Sequence, residues 1–244
     1  MTDFWILVNE KIVLLLLVYG IVMGLIRRAF YRRLFYKSRS GFLLNALNFV
    51  GTPVHETGHF LFALLFGMQV TEVCFFKTLR QAKDGKLGYV NVRMKNGGFL
   101  RMFFNMIGSF FVGIGPLLIG PAVIIGAYNL LPDTIHSVTK SFHQPQALPG
   151  ILQNFQFTDW ILSALFLYLL IGISMNLELS HADLNMAWKG FFVIEILLVL
   201  LSAFLFYSNI PYIEIVNLLF SFLFTVSCVG VAGAVIGLLL SLLL

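Results

Sequence analysis

Long apolar runs alternate along this chain with short polar or basic segments. A helix needs about 20 mostly apolar residues to cross a bilayer, and the last run is interrupted only by a short break at 208–211. The pattern therefore predicts an all-α polytopic membrane fold of five to six transmembrane helices, built as a single domain. The apolar runs cover residues 4–26, 41–68, 102–131, 160–183 and 191–244.

The polar segments differ in character. Residues 27–40 carry six basic side chains among aromatic residues, which predicts a segment at the membrane surface. Residues 69–101 contain KLGYVNVRM, whose period-two alternation after the Asp84-Gly85 turn signal predicts a β-loop. Residues 132–159 are poor in charge and contain three prolines, so a loop of modest order is predicted there.

The two basic segments, 27–40 and 69–101, conflict with the positive-inside rule if a single span separates them. Either one of them lies on the opposite side of the membrane, or residues 41–67 form a re-entrant hairpin. Such a hairpin would break near Gly51-Thr52-Pro53, where Thr can cap a helix and Pro can begin one. Several Gly and Pro residues also predict that the run 102–131 is broken or kinked.

Composition supports a membrane protein and excludes several other classes. Hydrophobic residues make up 59% of the 244 residues and charged residues 11%, against roughly a quarter charged in a soluble domain. The net charge of +5 comes from basic residues between the spans, which indicates lipid headgroups and excludes a nucleic-acid partner. Cys74 and Cys228 are predicted to be reduced thiols. The first run lacks a basic leader and a cleavage site, so we expect a retained helix in a multi-pass protein of the bacterial inner or plasma membrane.

The segment VHETGHF carries the chemistry. His55 and His59 are four residues apart, so on a helix they lie on one face, close enough to share a metal ion. Ionisable groups at membrane depth are costly and usually mark function. Catalytic zinc takes three protein ligands and lowers the pKa of water from 15.7 to about 7. We expect one Zn²⁺ per chain, held by His55 and His59, with Glu56 as the catalytic base.

The third metal ligand is predicted among four acidic residues that lie outside termini and loops: Glu178, Asp183, Glu195 and Glu214. Asp183 is favoured because it lies in a dense polar cluster next to an apolar run. His181 and Glu178 remain alternative ligands. Ser180 followed by Asp183 also resembles a capping box, which would make the cluster a helix start.

Three other polar residues receive simpler interpretations. Glu195 is interpreted as a polar contact that faces the helix bundle. His136 and His143 lie in the proline-bearing loop, where exposed histidines are ordinary, so neither is predicted to bind the metal.

The stretch HETGHFLFALLFGMQVTEV, followed by GYV, resembles the site-2 protease family of intramembrane zinc metalloproteases. The resemblance covers residues 52–94, and Gly115-Pro116 resembles the family's Gly-Pro element. It implies an HExxH helix and an aspartate ligand on a later helix, here Asp183. Around that ligand the family's Asn, Pro and Leu-Asp-Gly pattern is reduced to Asn176 and Asp183. The loops are too short for a PDZ insertion, so this would be a minimal member.

The expected function is an intramembrane zinc-dependent endopeptidase that acts on transmembrane protein or peptide substrates through zinc-activated water. A helical substrate must be extended before hydrolysis, and the strand at 88–94 offers an edge for β-augmentation through Gly88, Tyr89 and Val90. The resemblance implies that Asn176 hydrogen-bonds the substrate backbone.

Two other functions are considered. A catalytically inactive protein of the same fold would bind transmembrane helices, but binding alone needs no base such as Glu56. A transporter is suggested by the Gly- and Pro-interrupted run and the intramembrane ionisable residues, although the chain lacks a repeat-related second half.

Overall fold

The computed structural model describes residues 3–37, 41–83, 85–141, 144–208 and 212–242. Asp84 of the predicted turn, His143, and residues 209–211 of the predicted break lie outside these ranges. Nine α-helices are formed by the described residues: α1 (Asp3–Val8), α2 (Leu14–Lys37), α3 (Gly41–Leu65), α4 (Phe99–Asn129), α5 (Asp133–Lys140), α6 (Leu148–Gln153), α7 (Phe157–Ser174), α8 (His181–Ser208) and α9 (Ile213–Leu240). A π-helical turn (Asn9–Val13) joins α1 to α2, and a 3₁₀ turn (Pro145–Ala147) precedes α6.

Helices long and apolar enough to cross a membrane dominate the described part of the chain. There are five such stretches, as expected of a multi-pass membrane protein, and α3 is not one of them. This architecture confirms the prediction of a helical polytopic fold. The five stretches are Phe4–Arg33, Phe99–Asn129, Phe157–Ser174, His181–Ser208 and Ile213–Leu240.

Helix α3 is continuous and carries Pro53 in its interior. The predicted break near Gly51-Thr52-Pro53 is therefore not formed, and the re-entrant hairpin was a wrong alternative. Proline removes one backbone hydrogen bond, but α3 packs along α4 and α7, and such packing supplies most of a helix's stability. Helix α4 is likewise continuous across Pro116 and Pro121, so the run 102–131 is not broken.

A two-stranded antiparallel sheet follows α3. It consists of β1 (Gln69–Cys74) and β2 (Tyr89–Arg93), with Cys74 opposite Tyr89 and Gln69 opposite Arg93. The strands are rich in Val, Thr and Tyr, which suit a pleated surface, and a bulge interrupts the register at Thr71. The β-loop predicted in 69–101 is thus present.

Several predicted boundaries are shifted. Residues 132–159 are more ordered than the loop predicted there, because they contain α5 and α6. The basic segment predicted at 27–40 is part of a long helix as far as Lys37, where α2 ends. The predicted span 160–183 ends at Ser174, and Asp183 lies in the first turn of the next helix.

The segment between α7 and α8 is buried although it is not helical. Met175 and Leu177 are almost completely inaccessible and belong to a core formed with α2, α3, α4, α7 and α9. Glycine lets α9 approach α7 closely, because a Cβ on Gly233 would overlap the hydroxyl of Ser174 at the end of α7. Small residues at helix contacts are typical of membrane bundles. This packing brings residues 175–183 against α3.

Candidate functional site

The HExxH residues lie in the C-terminal half of α3, on the side that faces α4 and the first turn of α8. The Nε2 atoms of His55 and His59 are 3.1 Å apart, as expected for residues one helical turn apart. Asp183 reaches both rings from the start of α8: its Oδ1 lies 3.2 Å from His59 Nε2 and its Oδ2 lies 3.6 Å from His55 Nε2. The structure therefore brings the three predicted ligands together, with their ligand atoms all within 4.8 Å of one another.

Backbone carbonyls fix the orientation of both rings. His55 Nδ1 lies 2.6 Å from the carbonyl oxygen of Asn176, and His59 Nδ1 lies 2.7 Å from that of Val112. A carbonyl can only accept, so in each ring Nδ1–H is the donor and Nε2 of the neutral imidazole carries a lone pair. Metal-bound histidines are commonly oriented in this way. The two Nε2 atoms lie 3.1 Å apart, and a cation beside them would accept a lone pair from each ring.

The donor set fits one zinc ion. Zinc binds His nitrogen at 2.0–2.1 Å and carboxylate oxygen at 2.0–2.2 Å in a tetrahedral arrangement, which puts neighbouring ligand atoms about 3.3 Å apart. The two histidine Nε2 atoms are 3.1 Å apart, close to that value, and each lies within 3.6 Å of one of the two Asp183 oxygens. Two histidines and one carboxylate also leave the fourth position open, as catalytic zinc sites do.

Asp183 is both a helix cap and a member of the cluster. The Ser180 backbone N–H donates to Asp183 Oδ2 at 2.7 Å, and the Asp183 N–H donates to Ser180 Oγ at 3.2 Å. This reciprocal capping box was considered as an alternative to metal binding. The structure combines the two, because the cap holds the carboxylate in place while Oδ1 faces His59.

The two alternative ligands lie on the same cavity but outside the cluster. Glu178 is paired with Arg27, whose Nη1 is 3.2 Å from Glu178 Oε2. His181 is exposed. Among the described residues, only His55, His59 and Asp183 form a group with metal-ligand spacing.

Glu56 is buried beside the two histidines and lines the same cavity. Just before β2 the backbone passes very close to α3, because a Cβ on Gly88 would lie 2.7 Å from Glu56 Cγ and 2.7 Å from Thr52 Cγ2. Only glycine fits at this position without displacing Glu56. Gly88 therefore lies directly against the predicted catalytic base.

A cavity of about 1040 Å³ opens above the cluster. Every residue from Gly85 to Met94 borders it, so the cavity runs along an edge of β2 rather than along one face of the sheet. Within the described ranges β2 pairs only with β1, which leaves this edge without a strand partner. Gly88, Tyr89 and Val90, the predicted substrate-binding residues, are part of this wall.

Asn176 has a positioning role in the structure. Its carbonyl holds the His55 ring, its Nδ2 donates to the Gly172 carbonyl at 2.9 Å, and its Oδ1 accepts from the Thr52 hydroxyl at 3.5 Å. Helix α3 approaches it closely, since a Cβ on Gly51 would overlap the Asn176 amide. Asn176 also borders the cavity, and its contact with substrate stays a prediction.

The remaining polar residues lie elsewhere. Glu195 accepts hydrogen bonds from Trp5 in α1 and from Asn9 in the π-helical turn, in agreement with its interpretation as a bundle contact. His136, in α5, packs edge-on against the ring of Tyr128 in α4. It does not belong to the group with metal-ligand spacing. Cys74 and Cys228 are free thiols.

Sequence reasoning missed two contributors to the site. The carbonyl of Val112 is a backbone group in an apolar run and has no sequence signal. Arg27 borders the cavity. The sequence feature that could have identified it is Glu178, an acidic residue next to an apolar run, because such residues usually pair with a basic side chain.

Comparisons with known proteins give no relative from which a function could be transferred: no family model, no curated protein and no solved structure matches this chain.

Proposed function

We propose that this protein is an intramembrane zinc-dependent endopeptidase of the site-2 protease type, located in the cell membrane. One observation carries the proposal. His55, His59 and Asp183 converge from two helices, with ligand atoms within 4.8 Å of one another, in a cavity that also contains Glu56.

Each residue has a distinct task in hydrolysis. The bound zinc ion would act as a Lewis acid toward the scissile carbonyl and toward water. Glu56 accepts a proton from the attacking water and passes it to the leaving amine, as a general base and then a general acid. The carbonyls of Asn176 and Val112 hold the histidine rings, and Ser180 holds the Asp183 carboxylate.

The substrate in this proposal is a transmembrane segment in an extended conformation. Backbone groups of a helix are already hydrogen-bonded, so unwinding has to be compensated by new partners. The edge of β2 at Gly88, Tyr89 and Val90 supplies such partners by β-augmentation. Asn176 offers a further hydrogen-bonding group beside the ligands.

The test compares purified wild type with Glu56→Gln in detergent. Gln keeps the size of the side chain but cannot accept the proton, and Glu214→Gln in the first turn of α9 is a matched control outside the cavity. Bound zinc is measured by mass spectrometry, and cleavage is measured on a panel of synthetic transmembrane peptides.

We expect about one zinc per chain in all three proteins, with cleavage by wild type and Glu214→Gln only. Zinc in every protein with cleavage by none would indicate the non-catalytic binder instead. Folded wild type that takes up no zinc would refute the metal site.

A further inference from the structure

A second polar site lies inside the membrane region, apart from the cavity. Glu195 is about 20 Å along α8 from its first residue, at 1.5 Å per residue, and apolar residues flank it on both sides. It does not border the cavity that contains His55 and Asp183. A carboxyl group at such a depth is expensive and is usually kept for a function.

One oxygen of the Glu195 carboxyl group is hydrogen-bonded by residues of α1 and of the π-helical turn that follows it. Oε2 accepts from the indole N–H of Trp5 at 2.8 Å and from the side-chain amide of Asn9 at 3.3 Å. Oε1 is buried, and no described residue donates a hydrogen bond to it or accepts one from it. No water is available in hydrocarbon to satisfy such an atom. Within the described ranges the chain supplies no such partner, and a second molecule that enters the membrane beside α8 can supply one.

A groove of about 500 Å³ adjoins this carboxyl group. Trp5 and Asn9 form one wall, and α8 forms the other with half-exposed apolar side chains that include Phe192, Ile196 and Val199. Their spacing of four and three residues gives one continuous helix stripe. Lipid tails can cover that stripe, but they cannot satisfy Glu195, so the occupant must carry a polar group at this depth.

The local backbone also departs from regular helix here. Asn9 is the first residue of the π-helical turn Asn9–Val13, and isolated π-turns in helices are frequent at functional sites. Asn9 additionally donates to the Trp5 carbonyl at 3.1 Å, which holds its amide beside Glu195. The polar wall of the groove is therefore a fixed feature of the first helix.

We propose that this groove docks a transmembrane helix of a partner protein that carries a Lys or Arg side chain at the depth of Glu195. The terminal torsion of a glutamate is soft, so the carboxyl group can turn toward the groove without moving α8, exchanging its contacts with Trp5 and Asn9 for contacts with the partner. A basic side chain then forms a charge-assisted hydrogen bond where no water competes. Glu195 lies about 18 Å along α8 from Asp183, and docking does not require peptidase activity.

The test uses the full chain in lipid vesicles, labelled with a donor fluorophore, in a Glu56→Ala background that excludes cleavage. The probes are acceptor-labelled leucine-rich transmembrane peptides with Lys, Leu or Glu at the centre. We expect the Lys peptide to bind on the order of 3- to 20-fold more tightly than the Leu peptide, the range of single polar contacts between membrane helices. Glu195→Gln should abolish this preference and Glu214→Gln should retain it.

A second variant guards against a folding defect. Ile196→Trp fills the groove while Glu195 stays, so it should weaken binding of the Lys peptide, and thermal unfolding reports whether either variant is folded. Equal binding of the Lys and Leu peptides to wild type, or an undiminished Lys preference in Glu195→Gln, would overturn the proposal. Self-association of wild type that is lost in Glu195→Gln would also overturn it, since a second copy would then be the occupant.

Discussion

The two roles of Asp183 can be separated by two substitutions. Asp183→Asn removes the negative charge but leaves an amide oxygen that can still accept from the Ser180 N–H. Ser180→Ala keeps the carboxylate but removes the hydroxyl that accepts from the Asp183 N–H. If Asp183 is a metal ligand, only the first substitution should reduce zinc affinity. If it is only a helix cap, the second should be the more damaging.

The expected magnitudes follow from the contacts. Loss of an outer partner of a metal ligand typically costs 10- to 100-fold in affinity, so loss of a ligand charge should cost about 100-fold or more. At zinc concentrations of 100 Kd, zinc stabilises wild type by about 2.7 kcal/mol. With a Kd raised 100-fold, the same concentration adds only about 0.4 kcal/mol. Ser180→Ala should cost about 1 kcal/mol with or without zinc.

The assay is thermal and denaturant unfolding in detergent, with added zinc and with chelator, together with zinc titration. For Asp183→Asn we expect a zinc-dependent loss of about 2 kcal/mol, and in chelator less than about 1 kcal/mol from weaker interaction with the α8 dipole. For Ser180→Ala we expect equal losses in both conditions. Zinc affinity of Asp183→Asn within about threefold of wild type would refute the ligand role and return attention to His181 or Glu178.

Three further predictions concern close contacts and one ion pair. Gly88→Ala places a Cβ 2.7 Å from Glu56, the proposed base, and should lower kcat by up to about 100-fold with zinc content unchanged; an unaltered kcat would contradict the proposed role of Glu56. Gly58→Ala places a Cβ 2.7 Å from the α4 backbone and should destabilise the fold by about 1–3 kcal/mol in thermal unfolding, whereas Gly126→Ala, with open space around it, should be neutral or stabilise by up to about 1 kcal/mol. In a double-mutant cycle of Arg27→Gln and Glu178→Gln, the partly exposed pair should contribute less than about 1 kcal/mol, and a larger coupling energy would contradict the solvent screening expected there.

Local patterns were sufficient to predict the HExxH helix and the strand beside it. The spacing of His55 and His59 depends only on helical geometry, and the alternation around Val90 and Val92 depends only on the pleat. The groups that orient the rings were not predictable in this way. The carbonyls of Asn176 and Val112 reach the histidines because other segments pack against α3, and no local pattern reports that contact.

The predicted helix boundaries were wrong where residues are buried without being helical, and where packing overrides local signals. The apolar pattern continues past Ser174, so it predicted a span to residue 183, but residues 175–177 are buried without being helical. Hydropathy reports burial there rather than secondary structure. At Gly51-Thr52-Pro53 the local signals predicted a break, and the packing of α3 against α4 and α7 overrides them.

If the site binds zinc as proposed, its zinc affinity should depend on how the helices pack. Each histidine depends on a different segment for its orientation, His59 on α4 through Val112 and His55 on the segment after α7 through Asn176, while Asp183 depends on the start of α8. Separating α3 from α4 by a few tenths of an ångström would turn one Nε2 lone pair away from the cluster without touching a ligand. Substitutions at the close α3–α4 contact, such as Gly58→Ala, should therefore weaken zinc binding as well as the fold. A variant that loses stability but keeps wild-type zinc affinity would show that α3 alone orients the two histidines.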